Sequence, residues 1–471
     1  MLFASYTFLF IFLPLLLLIY FLSDKKYRNY ILTAFSLFFY AYGGPKYLIL
    51  MLFSITVNYI MGLLVDKYRS KENVAKLIVA LATVINLLFL GYYKYADFFI
   101  TNIDNIFKLD LPLANVVLPI GISFYTFQGL SYVIDIYREH GKVQKNPFNV
   151  ALYISLFPQL IAGPIVRYET IAQQIDNRET NIDKFSLGFQ RFILGLSKKL
   201  IIANTFGQIA DTVFSMEILD INFALSWIGA IAYMIQIYYD FGGYSDMAIG
   251  LGKMFGFDFL ENFNYPYFAT SITDFWRRWH ISLSTWFRDY VYIPLGGNRK
   301  GKLRHILNIL IVWALTGFWH GSSWHFMLWG VYYGLLLLIE KFVLKNILEK
   351  CPQILKRIYT LIIVLIGWVI FRADYTSYAL HFIKIMFSFN FDSNNLMIFL
   401  QYFVNYKWEF LIACVGSVPT IKWIYNWLIE KKNIKEDYLY LLKSLICVVL
   451  LIFSISYLVG GSYNPFIYFR F

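Results

Sequence analysis

Hydrophobic residues run along this chain in long segments that are separated by short polar stretches. About 20 apolar residues suffice to cross the hydrocarbon core of a bilayer as an α-helix. The first segment, Leu2–Leu22, carries no charge and lacks the basic start and cleavage site of a signal peptide, so we expect a retained helix. The pattern therefore predicts an all-α, polytopic integral membrane protein.

Further segments of the same kind follow on both sides of a polar central region. We expect about 11 to 13 crossings in total, because several segments are short or broken by proline and glycine. The segments are Ile31–Tyr42, Leu48–Val65, Leu77–Phe99, Val116–Tyr137, Leu187–Phe214, Ala224–Tyr239, Ile306–Trp319, Trp324–Phe342, Ile358–Phe371, Phe410–Leu428 and Leu441–Val459. The sequence shows neither a linker nor a soluble module, so residues 1–471 are predicted to form one membrane domain.

Composition and charge support a membrane protein and indicate its topology. Of 471 residues, 15% are charged, whereas soluble domains carry about 25%. The net charge of +12 is concentrated in short loops, which the positive-inside rule places in the cytoplasm, with both termini on the other side. These loops are at residues 25–28, 67–71, 138–145, 299–304 and 431–435. Because the positive charge follows the loops, topology explains it better than nucleic-acid binding.

Two hydrophobic stretches are interrupted by glycine, proline or charge. Residues 156–168 (LFPQLIAGPIVRY) are predicted to be re-entrant, and residues 238–250 (YYDFGGYSDMAIG) place two carboxylates among apolar neighbours. Irregular backbone at membrane depth is tolerated where it is buried in protein or lines a wet cavity. We therefore expect a cavity or tunnel, and the residues expected to line it are Asp240, Tyr244, Ser245, Asp246, Trp319 and Trp324.

A third polar stretch, residues 272–301, is amphipathic. Helical periodicity places tryptophans on one face of a predicted helix over Ile272–Tyr290, which suits the membrane interface, with Arg277 and Arg278 on the other face. His280 lies at the margin of the apolar face, where a structural role is as compatible with the spacing as a functional one. The turn that follows could bind a phosphate through backbone N–H groups and two cations, or simply be a cytoplasmic loop. Its residues are Gly296, Gly297, Asn298, Arg299 and Lys300.

His320 is the least expected residue of the pattern. It lies in GFWHGSSWHF (residues 317–326), roughly 20 Å along a predicted membrane helix. Ionisable groups at such depth are candidates for function, and a neutral imidazole could act as a general base. A structural histidine beside tryptophans is the alternative, while Gly317 and Gly321 would allow another backbone or a ligand to approach closely. The sequence contains no HExxH, P-loop, GxSxG or CxxC motif, so we expect no metal site.

Together these stretches resemble the membrane-bound O-acyltransferase superfamily, and within it the bacterial alginate O-acetyltransferase-like branch. The resemblance covers nearly the whole chain. Its stretches are LPIGISFYTFQGLSYVIDIYR (118–138), FPQLIAGPIVRY (157–168), YYDFGGYSDMAIGLGKMFGF (238–257), FWRRWHISLSTWFRDYVYIPLGGNRKG (275–301) and TGFWHGSSWHFMLWG (316–330). The resemblance implies a ring of membrane helices, with re-entrant and interfacial helices, around a central funnel or tunnel. It also implies a catalytic core near residues 115–345.

The same resemblance implies an enzyme of the bacterial cytoplasmic membrane, surrounded by lipid, that passes an acyl group outward from a cytoplasmic thioester. His320 matches the histidine of the family's Trp–His–Gly element, and His280 looks like its second active-site position. The implied donor is acetyl-CoA or an acyl carrier protein thioester, with no bound cofactor, and we assign donor binding to Arg277, Arg278 and residues 296–300. The implied acceptor is a cell-surface polysaccharide or peptidoglycan, reached through an extracellular SGNH hydrolase-like acyltransferase. D-alanyl transfer to teichoic acid and, in another class, glycan or lipid transport remain alternatives.

The last eight residues, NPFIYFRF (464–471), are rich in aromatic side chains. Such a run after a final helix is typical of an interfacial anchor. It also resembles the end of a small membrane peptide of the teichoic-acid D-alanylation system, whose terminal tyrosine is thought to carry the acyl group. This second resemblance implies that Tyr468 accepts the acyl group, with His320 as the base that its phenol needs.

Overall fold

The computed structural model describes residues 1–390, 393–432, 434–461 and 463–469, and these ranges are helical without β-strands. The all-α fold class is therefore confirmed. The helices are α1 (Leu13–Leu22), α2 (Arg28–Ala41), α3 (Pro45–Lys67), α4 (Glu72–Leu90), α5 (Ala96–Phe107), α6 (Ile122–Tyr137), α7 (Pro147–Ser155), α8 (Phe157–Leu160), α9 (Tyr168–Asp176), α10 (Ile182–Ser197), α11 (Asn204–Phe214), α12 (Phe223–Met254), α13 (Ile272–Arg278), α14 (Ile281–Phe287), α15 (Lys302–His320), α16 (Trp324–Ile339), α17 (Lys345–Lys350), α18 (Gln353–Arg372), α19 (Thr376–Met386), α20 (Ser393–Asn405), α21 (Lys407–Gly416), α22 (Thr420–Glu430) and α23 (Glu436–Gly460).

Several helices are long and apolar enough to cross a membrane. Within the described residues, five meet this condition by length and composition: Pro45–Lys67, Glu72–Phe107, Trp324–Lys350, Gln353–Arg372 and Glu436–Gly460. The first predicted segment forms the shorter apolar helix Thr7–Leu22. The segment expected at Phe410–Leu428 is two helices, because a turn that includes Pro419 separates α21 from α22. The chain is thus a multi-pass membrane protein, and the number of crossings stays a prediction.

The helices group into two compact units. Unit 1 comprises Met1–Phe192 and Tyr244–Leu260, and unit 2 comprises Ile193–Gly243 and Glu261–Phe471. Two of the three boundaries between the units fall inside α10 and α12, and the third follows Leu260, after α12 has ended. In unit 1, residues 156–168 form the short helix α8 and an irregular turn, and all of them except Arg167 are buried. Irregular backbone in this segment is therefore enclosed by protein, although its re-entrant course through a membrane stays a prediction.

The glycine-rich segment 238–250 does not interrupt its helix, contrary to the expectation from sequence. It lies within α12, a continuous helix of 32 residues. Glycine permits close packing here, since a Cβ on Gly243 would lie 2.7 Å from the carbonyl oxygen of Gly195. Each carboxylate has an ion-pair partner: Lys199 binds Asp240 within unit 2, and Arg191 binds Asp246 within unit 1. Tertiary partners therefore stabilise a helix that the local pattern predicted to break.

The amphipathic segment also differs from its prediction. It forms two short helices, α13 and α14, that meet at His280, whose φ of +44° lies in the left-handed region. Trp276, Trp279 and Trp286 are buried in the protein. The prediction of a single continuous helix is therefore wrong, and its tryptophans are part of the protein core. Its position at the membrane interface stays a prediction.

Helices α15 and α16 form a closely packed hairpin in unit 2. A Cβ on Gly317 would collide with the carbonyl oxygen of Phe326, and one on Gly330 with that of Trp313. Small residues at such positions let two helix backbones approach. The close approach expected at Gly317 is therefore present, and it fixes the end of α15, where His320 lies.

Candidate active site

Three residues singled out from the sequence meet in unit 2. The Tyr468 hydroxyl lies 3.3 Å from His280 Nε2. Phe241 packs against both rings, with centroids 4.7 Å from His280 and 4.8 Å from Tyr468. Tyr468 and His320 line the same cavity, whose volume of about 10 Å³ corresponds to roughly one water molecule. The two histidines and the C-terminal tyrosine thus belong to one site.

His280 owes its position to Asn262. The Asn262 backbone oxygen accepts the Ile281 N–H, and its Oδ1 accepts from the backbone N–H and the hydroxyl of Ser282. The same Oδ1 lies 3.2 Å from His280 Nδ1. An amide oxygen can only accept, so Nδ1 carries the proton of the neutral ring. Nε2 is then the acceptor, and it faces the Tyr468 hydroxyl.

Burial decides the charge of this imidazole. His280 lies between α13 and α14, outside the membrane-spanning helices, and its side chain is 1% exposed. Burial lowers the pKa of His280 to about 3, because the charged ring would lose its hydration. His280 is therefore neutral at physiological pH and able to accept a proton.

His320 is enclosed by aromatic rings. It is the last residue of α15, and its ring centroid lies 5.0 Å from that of Trp319, 5.1 Å from Trp329 and 5.2 Å from Phe371. The three rings meet the imidazole nearly edge-on, at interplanar angles of 82° to 83°. Packing therefore holds the orientation of His320, at the wall of the cavity that Tyr468 also lines.

The C-terminal segment is buried in unit 2. Phe466 and Ile467 are each 3% exposed, and Tyr468 follows in a single 3₁₀ turn. An aromatic anchor at the membrane surface would leave its apolar side chains exposed to lipid, so the burial of Phe466 and Ile467 favours the acceptor interpretation over the anchor. Burial also raises the pKa of the Tyr468 phenol well above its ordinary value. The hydroxyl consequently keeps its proton unless a base removes it. Arg470 and Phe471 lie outside the described residues.

The six residues expected to line a tunnel have different positions. The Trp319 ring packs on His320, and its centroid lies 6.1 Å from that of His280. Asp240 accepts a hydrogen bond from the Ile467 N–H at 2.8 Å. These two belong to the site. Trp324 is 60% exposed. Tyr244, Ser245 and Asp246 belong to unit 1, where Tyr244 stacks on Phe3.

A second, much larger cavity lies in unit 2. Its volume is about 660 Å³, and five basic side chains are among its walls: Arg277, Arg288, His305, Lys341 and Lys345. Glu349 also lines it, as does Glu340, which accepts hydrogen bonds from the backbone N–H groups of Ile272 and Thr273. Arg288 is paired with Asp289 at 2.7 Å, so the cavity carries a small excess of positive charge, which Arg277, Lys341 and Lys345 supply.

The large cavity extends to residues beside the histidine site. Thr316 in its wall is one helical turn before His320. Trp276 in its wall packs on Trp329, whose ring in turn packs on His320. The basic cavity and the small cavity are thus neighbours within one unit.

Of the residues predicted to bind the donor, Arg277 lines the large cavity. Arg278 instead forms an ion pair with Asp274 at 2.8 Å. In the turn, the N–H groups of Gly296 and Gly297 donate to the carbonyls of Ile293 and Tyr292, so these two amides are engaged within the protein. Asn298, Arg299 and Lys300 are exposed.

Sequence reasoning missed several residues of the site. Lys199, which binds Asp240, lies inside the expected membrane segment Leu187–Phe214, where a charged residue is a candidate for function. Lys341 lies at the end of the expected segment Trp324–Phe342 and Lys345 just after it, where cations are ordinary, so neither has a distinctive signal in the sequence. Asn262 has no local signal, because its role depends on residues 18 to 20 positions further along the chain.

Comparison with known proteins identifies the family. The membrane-bound O-acyltransferase family matches residues 136–374, which include both histidines. A probable alginate O-acetylase of Pseudomonas putida is 39% identical over the full length of both chains. The chain belongs to the membrane-bound O-acyltransferase family. It is therefore an O-acyltransferase, which sets aside the transporter alternative.

Two further relatives of this O-acyltransferase differ in chemistry. A peptidoglycan O-acetyltransferase of Helicobacter pylori is 36% identical over 83% of this chain and 80% of its own. A teichoic acid D-alanyltransferase of Bacillus subtilis is 31% identical over 49% of this chain and 61% of its own. Similarity to the acetyltransferases therefore extends over more of the chain.

Proposed function

We propose that this O-acyltransferase transfers an acetyl group from a cytoplasmic thioester to Tyr468, and from Tyr468 to a cell-surface polysaccharide or peptidoglycan. The observation that carries this proposal is the 3.3 Å contact between the Tyr468 hydroxyl and His280 Nε2. The extent of similarity to O-acetyltransferases favours acetyl over D-alanyl. Delivery to the polymer is assigned to an extracellular SGNH-type partner.

In the first transfer, His280 acts as the base. Nε2 takes the phenol proton while Tyr468 Oη attacks the thioester carbonyl carbon, so an O–C bond forms and the C–S bond breaks. The thiolate then leaves with the proton that His280 holds. The distance between Nε2 and the phenol hydroxyl suits this role, and the basicity of the desolvated imidazole must rise as negative charge develops beside it. The contact favours His280 over His320, the base expected from sequence.

His320 is assigned a different task. Its imidazole lines the cavity that Tyr468 closes, so we assign it a hydrogen bond to the carbonyl oxygen as negative charge develops there. In the second transfer, an acceptor hydroxyl attacks the acetyl-tyrosine and the phenolate leaves. Phenolate is a better leaving group than an alkoxide, which a transient carrier requires.

The large basic cavity is assigned to the donor. Its volume of about 660 Å³ is within the usual range for ligand pockets, about 300–1,000 Å³. Arg277, Lys341 and Lys345 would bind the phosphates of coenzyme A or of a carrier protein's prosthetic arm. A cytoplasmic opening of this cavity, with both termini on the outer face, agrees with the charge of the loops. The small cavity holds about one water, so a wall or the tail must shift to admit the acetyl group.

The experiment that tests the proposal replaces one atom. Tyr468→Phe keeps the ring and removes only the hydroxyl, so polymer O-acetylation should fall to background in cells that express the variant normally. Mass spectrometry of the wild-type C-terminal peptide should find an acetyl adduct on Tyr468 that accumulates without the extracellular partner. Tyr457→Phe, on the exposed part of α23, is the matched control and should keep full activity. Full acetylation with Tyr468→Phe would refute the carrier.

A further inference from the structure

A buried ion pair lies beside the C-terminal segment. Lys199, in the π-helical turn between α10 and α11, meets Asp240 of α12 with 2.7 Å between Nζ and Oδ1. Their side chains are 5% and 1% exposed. Removing both charges from water is unfavourable unless further hydrogen bonds satisfy the remaining donors and acceptors. Such a pair therefore needs additional polar partners.

The C-terminal segment supplies those partners through its backbone. Asp240 Oδ2 accepts the Ile467 N–H at 2.8 Å, and Lys199 Nζ donates to the Pro465 carbonyl. Two residues earlier, Asn204 Nδ2 donates to the Tyr463 carbonyl at 3.1 Å. The contacts fall on every second residue, 463, 465 and 467, and the last of these begins the 3₁₀ turn that carries Tyr468. Side chains of unit 2 thus bind the backbone of this segment much as a neighbouring strand would.

Local sequence fits the segment to its site. Pro465 has no N–H that would need a partner, and a proline biases the residue before it, Asn464, towards extended backbone. The Tyr463 hydroxyl donates to Asp211 at 2.7 Å, and Asp211 in turn pairs with Arg372 at 2.8 Å. Glycine provides the room, since a Cβ on Gly207 would lie 2.9 Å from that hydroxyl.

We infer that Lys199 and Asp240, with Asn204, form a binding site for the backbone of residues 463–467, and that this site positions the Tyr468 hydroxyl against His280. Tyr468 follows directly on Ile467, so the hydrogen bond to Asp240 holds the backbone one residue before the tyrosine. The tyrosine hydroxyl then lies against His280. Lys199 and Asp240 are positioning residues, because they touch the carrier segment and neither the donor nor the reacting atoms. The contacts with residues 463–467 are the evidence for the binding site itself, whereas its role in positioning the acyl carrier rests on the proposed function.

The first test removes both charges at once. Lys199→Met with Asp240→Leu leaves no unpaired buried charge, so the protein should fold, with unchanged size-exclusion and thermal profiles in detergent. Carboxypeptidase should then release Tyr468 at least tenfold faster than from the wild type. Lys184→Met with Asp258→Asn is the control, because it removes a more exposed ion pair away from the C-terminal segment. Release of Tyr468 from this variant should stay at the wild-type rate. Equal release rates in all three proteins would overturn the binding site.

The second test measures positioning. In the Lys199→Met/Asp240→Leu protein, kcat for acetyl-CoA consumption and the yield of acetylated Tyr468 should fall at least tenfold, while KM for acetyl-CoA stays within twofold. A kcat within twofold of wild type would overturn the positioning role. If Tyr468→Phe proves fully active, the proposed carrier fails, yet the carboxypeptidase comparison still decides the binding site.

A third variant guards against a failure to fold. Ile467→Pro removes the N–H that Asp240 accepts and leaves both buried charges in place. The yield of acetylated Tyr468 should fall at least fivefold, whereas Ile467→Val, which keeps the N–H, should stay within twofold of wild type. Equal yields from these two variants would contradict the Asp240 contact.

Discussion

The two histidines of the active site are held by opposite means. His280 lies at a left-handed break between two short helices, and hydrogen bonds to Asn262 fix its proton on Nδ1. His320 ends a regular helix, and three aromatic rings hold its orientation. A group that takes a proton must have a defined protonated nitrogen, whereas a group that stabilises charge needs chiefly a defined direction. The difference in support therefore matches the difference in the proposed tasks.

Removing either imidazole should have the largest effect. His280→Ala and His320→Ala should each lower kcat by about 10²–10⁴-fold, the usual contribution of acid–base groups. The double variant should be hardly worse than the worse single one, because residues that act as a unit are not additive. Initial rates of acetyl-CoA consumption in proteoliposomes with acceptor would measure this.

Glutamine at each position separates the two tasks. Its amide donates hydrogen bonds but does not take a proton at neutral pH. His320→Gln should therefore regain at least tenfold over His320→Ala, while His280→Gln should stay close to His280→Ala. Equal recovery at both positions would contradict the division of roles.

Loss of the support for His280 should have an intermediate effect. Asn262→Leu removes the acceptor of Nδ1, and a cost of about 1–3 kcal/mol for a buried donor without its partner corresponds to a loss of roughly 5- to 150-fold in kcat. Asn264 bonds with Arg278 through its backbone, so Asn264→Leu is a suitable control and should stay near wild type. A comparable loss of kcat in both variants would show that the activity depends on the structure of the loop around residues 262–264 and not on the proton at His280 Nδ1.

Cations of the large cavity should affect donor binding more modestly. Arg277→Gln, Lys341→Gln and Lys345→Gln should each raise KM for acetyl-CoA about fivefold, since one screened charge contributes about 1 kcal/mol, and kcat should change less. Arg299→Gln and Lys300→Gln, in the exposed turn, serve as the comparison and should remain within twofold. Steady-state kinetics in detergent would test this. A larger rise in KM for the turn variants than for the cavity variants would assign donor binding to the turn.

Lowering the pH should have the smallest effect on the transfer rate. Because burial lowers the pKa of His280 to about 3, less than about 1% of the ring is protonated at pH 5.5. The transfer rate at saturating donor should then stay within about twofold between pH 8 and pH 5.5. A base with an ordinary histidine pKa of about 6.5 would instead lose about tenfold on the acid side. Such a loss would show that His280 is solvated during turnover.

The sequence predicted which residues meet in the candidate site better than how they are held there. His280, His320 and Tyr468 were recognisable from residue type, depth and resemblance. The break at His280 was not, because it depends on Asn262, and helical periodicity cannot register a contact 18 residues away. For the same reason, the glycines and carboxylates of α12 indicated an interruption, although Gly195 and Lys199 stabilise a continuous helix.

The small cavity between Tyr468 and His320 has a consequence for the cell's energy supply. A path for acyl groups through a membrane is also a potential leak for protons and ions. The cavity has room for about one water, and Tyr468 and His320 both lie in its wall, so little space is left for a column of water beside His320. If Tyr468 carries the acyl group as proposed, the group would cross as a covalent ester, and the proton gradient across the membrane would be preserved.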